Sequence, residues 1–285
     1  MATARSSQRE ELLADLAAGN WVDLSVLVSE SYPTWPLHMP FQRTVWNWFE
    51  PPTRPGVEWR YETPYHTAWW TIDEHTGTPF DPPTHFVPPA DSGLPDASPA
   101  GDITGDQVDL GKLRGPARVI DVRNLIDAAE PGVSPVVGIE EVERFERQHG
   151  ALEVGDVVLF WSGWDERYKQ GSAGDTYARD VVNAKIAGWP APAPETIIAL
   201  HERGIQTLGT DGCSIGSSED GRPGHVAGLS REMAYVESLT NLGSLPPVGA
   251  YFVFLPVKVV GSSGGPGRAV AFVPGPLAET SSPND

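Results

Sequence analysis

Apolar residues in this chain fall mostly into short runs, and those runs predict strands. "GDVVLFWSGW" (155–164) is a continuous apolar run, the pattern of a strand covered on both faces. "WVDLSVLVS" (21–29), "AWWTID" (68–73), "ARVIDVRN" (117–124) and "IQTLGTD" (205–211) read as further strands. "GAYFVFLPVKVVG" (249–261) and "GRAVAFVP" (267–274) flank "SSGGP", which predicts a hairpin. Helical spacing occurs in "QREELLADLAA" (8–18), "GIEEVERFERQHG" (138–150) and "APETIIALHERG" (193–204). The last has Pro194 in its first turn and Gly204 past its end. Three prolines make 31–41 irregular, and Pro, Gly, Asp and Ser make 87–105 a surface loop. Strands with a few helices between them predict one α/β domain with a mixed sheet. Residues 1–20 read as an N-terminal helical arm, 21–278 as the domain and 279–285 as a flexible tail.

Composition narrows the function classes. The formal net charge of −18 repels phosphate backbones and argues against nucleic-acid binding. A single cysteine, Cys213, excludes an intrachain disulfide and a cysteine-based zinc cluster. The N-terminus has no long apolar core and so predicts no secretory signal. No run of about 18 apolar residues predicts a membrane span, which leaves the cytoplasm as the expected location. Five of the ten tryptophans, Trp46, Trp48, Trp59, Trp69 and Trp70, crowd into residues 46–70. They suit either a core or the wall of a small-molecule pocket.

The candidate chemistry lies just after them, in "EHTGTPFDPPTHF" (74–86). Gly77, Pro79, Pro82 and Pro83 forbid a helix there. Asp81 and His85 lie six and ten residues after His75, so an extended chain would project all three to one side. Two imidazoles and a carboxylate make half a metal site or an acid/base cluster; the bland alternative is a turn capped by Asp81. A second group, His225 and Glu237, stands in "HVAGLSREMAYVESLTNL" (225–242). On one helix the pair would lie about 18 Å apart, too far to share an ion. Sharing requires the chain to turn back, with a break at Gly228 and a helix N-cap at Ser230. Ser214, Ser217 and Ser218 lack a serine-hydrolase frame, and Cys213 reads as a small packed residue.

With these residues in view, "HTGTPFDPPTHF" resembles the signature of the cyclase and metal-dependent hydrolase family, which includes bacterial kynurenine formamidase and isatin hydrolase. The family pattern is His-x-Gly-Thr-His-x-Asp-x-Pro-x-His, and His75, Gly77, Thr78, Asp81, Pro83 and His85 stand in its places. "DLSVLVSESYPTWP", "ERGIQTLGTD", "VESLTNL" and "LPVKVVGSSGGPGRAVA" are similar to other family segments in the right order. The resemblance implies a barrel-like β core flanked by helices, of the swivelling β/β/α type, in a homodimer or homotetramer. It implies His75, Asp81, His225 and Glu237 as ligands of zinc or manganese, His85 as the catalytic acid/base, and pocket walls at Trp35, Trp69, Trp70 and Phe80. The implied reaction is hydrolysis of an amide, formamide or lactam in a small aromatic substrate. The departure is Pro79, which stands where the family has a third metal-binding histidine. One donor is lost, so one ion is expected, held by Asp81, His225 and Glu237, with His75 as a possible fourth ligand. His38 or His66 could replace the lost imidazole from a neighbouring loop, although nothing in their spacing supports it. The alternatives are a cyclase or dehydratase using His85 with Asp81 or Glu237, and a non-catalytic binding protein.

Overall fold

A computed structural model of the chain describes residues 13–14, 16–50, 55–58 and 64–274. Seven strands close into a barrel. Around the ring they are β12 (Gly265–Val273), β11 (Tyr251–Pro256), β5 (Arg114–Asp121), β7 (Val157–Trp161), β9 (Thr207–Thr210), β10 (Ala234–Val236) and β4 (Pro79–Asp81), which pairs back onto β12. The run β5-β7-β9-β10 is parallel, and every other pairing in the ring is antiparallel. β1 (Asn20–Asp23) adds to the far end of β12. β11 and β12 form the expected hairpin, joined by a loop over 257–264.

Alternation along β7 explains its all-apolar sequence. Val157 and Leu159 face the barrel interior with Ala117, Val119, Phe252 and Phe254. Val158 and Phe160 face outward, onto Val142 and Phe145 of α1 (Ile139–His149) and Ile197 and Leu200 of α2 (Pro194–Glu202). Phe252 and Phe254 have no exposed surface, so each contributes about 1.5–3 kcal/mol of burial energy. α1 carries Glu140 and Glu141 in its first turn and Arg147 and His149 in its last, matching its dipole. A third cluster of Trp164, Tyr177 and Trp189, with Trp35 against it, sits to one side.

Four sequence expectations change. The strand expected over 21–29 ends at Asp23, where the Asp23 side chain accepts the Ser25 N–H and turns the chain; only a bridge from Ser25 to Leu239 continues it. Residues 225–242 are not one helix: α3 (Arg222–Leu229) is followed by a turn and then β10, and Ser230 is a C-cap, not an N-cap. Trp69 and Trp70 lie on β3 (Tyr65–Thr71), which pairs only with β2 (Gln42–Glu50) in a separate two-stranded ribbon. They are 48% and 63% exposed there, with Trp46 and Trp48 also exposed; Trp46 and Trp69 line only an open hollow on the ribbon itself. Within the surface loop 87–105, Val87 and Ala100 are buried in the outer core.

Of the expected N-terminal helix, residues 13–14 and 16–18 are helical. Residues 8–12, Trp59 and the tail 279–285 lie outside the described residues. Among the described residues, no helix is long and apolar enough to cross a membrane.

Candidate metal centre

Strand alternation on β4 sets the centre. Phe80 turns into the barrel, fully buried, with its ring 5.9 Å from that of Phe254. This corrects its expected place in a pocket wall. Asp81, the next residue, therefore projects from the opposite face, also with no exposed surface. The loop before β4 begins with Asp73, whose Oδ1 accepts the His75 N–H at 2.9 Å. Gly77 has φ +77°, and a Cβ there would lie 2.6 Å from Val28 Cγ2, so this turn requires glycine. After β4, a tight turn over Pro83–His85 folds His85 back onto His75, with ring centroids 3.9 Å apart.

The second segment arrives from the other side. On α3, His225 Nδ1 lies 2.6 Å from the Gly221 carbonyl and donates to it, which turns Nε2 inward. That Nε2 is 3.4 Å from Asp81 Oδ2 and 3.4 Å from Glu237 Oε1. Phe86 stacks on the His225 ring at 3.9 Å. Glu237 follows β10, and its N–H donates to the Pro79 carbonyl at 3.1 Å. Its Oε1 accepts from Ser214 Oγ at 2.9 Å and from the Ile215 N–H at 2.8 Å.

Two donor groups result, His75–Asp81–His85 and Asp81–His225–Glu237, each with its ligand atoms within 4.8 Å of one another. Asp81 belongs to both. Pro79 is buried in β4 and offers only its backbone. His66 sits on the ribbon, 4.6 Å from the Trp48 ring, so it replaces nothing at the centre.

Electrostatics test whether a cation suits these residues. Asp81 Oδ1 lies 3.1 Å from His75 Nδ1, yet neither Asp81 oxygen receives a hydrogen bond of acceptable geometry, and His75 Nε2 is also buried without one. Burial alone would raise the Asp81 carboxyl, but the imidazoles of His85, His225 and His75 outweigh it and hold Asp81 well below the ordinary carboxylate range. Burial and the charge of Asp81 push Glu237 up. Burial works against a charged His225, but Asp81 and Glu237 prevail and raise it to about 10; His75 is raised in the same way. Burial takes His85 down to about 3. Without an ion, then, the raised His225 and His75 imidazoles are the groups that offset the negative charge drawn together by Asp81 and Glu237. A divalent cation with nitrogen and oxygen ligands fits the same place.

Binding a cation must displace the His225 proton. Apparent metal affinity is therefore expected to rise about tenfold per pH unit up to about pH 10. Chelator competition at pH 6, 7 and 8 measures this; a flat profile contradicts the charge balance described.

Beside the centre lies a cavity of about 180 Å³. Trp35, Phe86, Tyr168, Tyr177 and Trp189 wall it, with His75, His85, His225 and Glu237 at one end. It is smaller than the roughly 300 Å³ at which drug-sized sites begin, so its occupant is small. Cys213 is in the wall, and burial pushes its thiol up, away from nucleophile chemistry. Of the residues expected in a pocket wall, Trp35 lines this cavity and Trp69, Trp70 and Phe80 do not.

Sequence reasoning missed Ser214, Phe86, Tyr168, Tyr177 and Trp189. Phe86 was within the quoted motif, but nothing in spacing tells a ring that stacks on a distant histidine from a core phenylalanine. Asp211, just past β9, has a structural task. Its buried carboxylate accepts from the backbone of Ser162, Gly163 and Trp164 and from Ser162 Oγ, so it fastens the loop after β7.

Comparison with known proteins places this geometry. The family model described as "Putative cyclase" matches residues 22–217. An isatin hydrolase from Roseibium aggregatum is 32% identical over 214 residues, 72% of this chain and 74% of that protein. A kynurenine formamidase from Salinibacter ruber is 29% identical over 251 residues, 87% of this chain and 95% of that protein. The solved structure of isatin hydrolase A from Ralstonia solanacearum superposes with a TM-score of 0.73 at 25% identity, covering 93% of this chain and 96% of that one. A family match over most of the barrel, together with a relative above 30% identity across nearly three quarters of the sequence, makes this chain a member of the cyclase family.

Proposed function

We propose that the protein is a metal-dependent hydrolase of a C–N bond, an amide, formamide or lactam, in a small aromatic molecule. The observation that carries this reading is Asp81: a fully buried carboxylate without hydrogen-bond partners, shared by two donor groups at the end of an aromatic cavity. Asp81, His225 and Glu237 would hold one cation, zinc or manganese, with His75 beside them. When bound, such a cation lowers the pKa of a coordinated water and polarises a carbonyl.

The protein's own residues do the rest. Ser214 and Ile215 fix one oxygen of Glu237 by two hydrogen bonds and so orient the carboxylate. His85, which burial keeps neutral, takes the proton of the attacking water and passes it to the leaving nitrogen. Trp35, Phe86 and Trp189 hold a flat ring and exclude bulk water.

The test is elemental analysis of protein purified without chelators, joined to hydrolysis of formanilide, isatin and N-formylkynurenine before and after metal removal. About one equivalent of metal with chelator-sensitive turnover supports the reading; no metal and no turnover sinks it. Pro79→His is expected to raise the content to about two equivalents, because a fourth donor then joins the His75–Asp81–His85 group. An unchanged content would show that position 79 does not face the ion.

A further inference from the structure

The cavity wall holds one imidazole, near His75, that the chemistry above leaves without a task. His38 lines the cavity together with Trp35, and among the described residues the lining contains no lysine or arginine. Its backbone N–H donates to the Trp35 carbonyl at 3.0 Å, within a turn bounded by Pro36 and Pro40. Its Nδ1 is buried and faces Asp73 Oδ1 at 3.2 Å, a close electrostatic contact outside hydrogen-bond geometry. The same Asp73 oxygen accepts the His75 N–H at 2.9 Å. One carboxylate thus stands between the His38 ring and the loop that carries the metal-side histidine, and the ring centroids of His38 and His75 lie 5.8 Å apart.

Several neighbouring hydroxyl hydrogens are already committed. Tyr168, Tyr177 and Ser217 donate their hydroxyl hydrogens to the carbonyls of Leu27, Asp211 and Asp220. Ser214 donates to Glu237. A carboxylate facing Nδ1 requires the hydrogen on Nδ1, which leaves Nε2 of a neutral imidazole as an acceptor. An acceptor beside an apolar wall reads a donor.

We propose that His38, held by Asp73, is a specificity residue whose Nε2 accepts the N–H of the substrate, so that the site takes secondary aromatic amides and lactams in preference to their N-alkylated counterparts. This rests on the hydrolase reading above. A cavity without lysine or arginine also has nothing to pair with a substrate carboxylate, which points to an uncharged substrate.

The experiment compares isatin with N-methylisatin, which differ only at the N–H, on metal-loaded protein. Steady-state kinetics and calorimetric binding are both measured, for the wild type, His38→Phe and His38→Gln. The wild type is expected to favour isatin by about tenfold or more in kcat/KM, the effect of one buried hydrogen bond. His38→Phe is expected to raise KM for isatin about tenfold, to leave kcat within about threefold, and to leave N-methylisatin unchanged. His38→Gln restores part of the preference through its amide oxygen, and metal content stays constant in both variants. Equal losses on both compounds, no preference in the wild type, or no binding of either compound overturns the proposal. Preferential binding of isatin without turnover of any amide would instead overturn the hydrolase reading and leave the His38 assignment standing.

Discussion

Asp81→Asn is expected to lower kcat by about a thousandfold or more, roughly 4 kcal/mol of transition-state stabilisation, and to strip the protein of its metal. The substitution keeps the shape of the side chain and removes its charge. Both donor groups run through this carboxylate, so neither survives. In the metal-free protein the same change leaves His225 facing only Glu237, and losing one partner of a buried charge set costs about 3–5 kcal/mol. Because the folded protein holds the Asp81 carboxyl well below its ordinary value, its contribution to stability is present above that value and is lost as pH falls through the folded-state one. Urea unfolding of chelator-treated wild type at pH 7 and pH 3, beside Asp81→Asn, reads the stability effect. Elemental analysis reads the metal. A variant that keeps a full metal complement would remove Asp81 from the centre.

His85→Gln is expected to lower kcat by about 10²- to 10⁴-fold, the usual worth of a positioned acid/base, with metal content unchanged. The second half of that outcome decides between two roles. His85 lies close enough to His75 and Asp81 to serve as a ligand, and it also lines the cavity. Burial keeps the His85 imidazole, stacked on His75, neutral with a lone pair open to a proton, and at the same time lowers its basicity. If metal is lost along with activity, His85 has taken the place of the absent histidine at position 79, and the proton must move through another residue.

How much of this was readable before folding depended on element length. β7 has a long apolar run, and both of its faces are buried. α1 and α2 carry caps, charges and periodicity that agree with one another. β4 and β10 have three residues each, too few for any period to show, yet they carry or deliver Asp81 and Glu237. The stretch 225–242 has helix-like apolar spacing, but Gly228 is where the Tyr235 hydroxyl packs: a Cβ there would meet it at 2.0 Å. That close approach of α3 to β10 is a tertiary fact and leaves only a glycine as its trace. The tryptophans misled for a related reason. Composition counts rings without saying which element bears them, and Trp69 and Trp70 ride on a ribbon that pairs with nothing in the barrel. The histidine signature was the most legible part, since its residues are close in sequence and its prolines exclude a helix. His38 had no such local signal, because Asp73, its partner, is 35 positions away and belongs to another loop.

One of the two shortest strands of the ring is also its clasp. β4 is joined to β12 through Phe80 and Pro79, the latter set against Pro266, and to β10 through Asp81 and Phe80. Two prolines face each other in that seam, and neither can donate a backbone hydrogen bond. The join leans instead on flanking bonds, from Gly267 to the Thr78 carbonyl and from Glu237 to that of Pro79. The weakest stitch of the cylinder therefore coincides with its chemistry, and whatever draws Asp81, His225 and Glu237 together also buckles the wall shut.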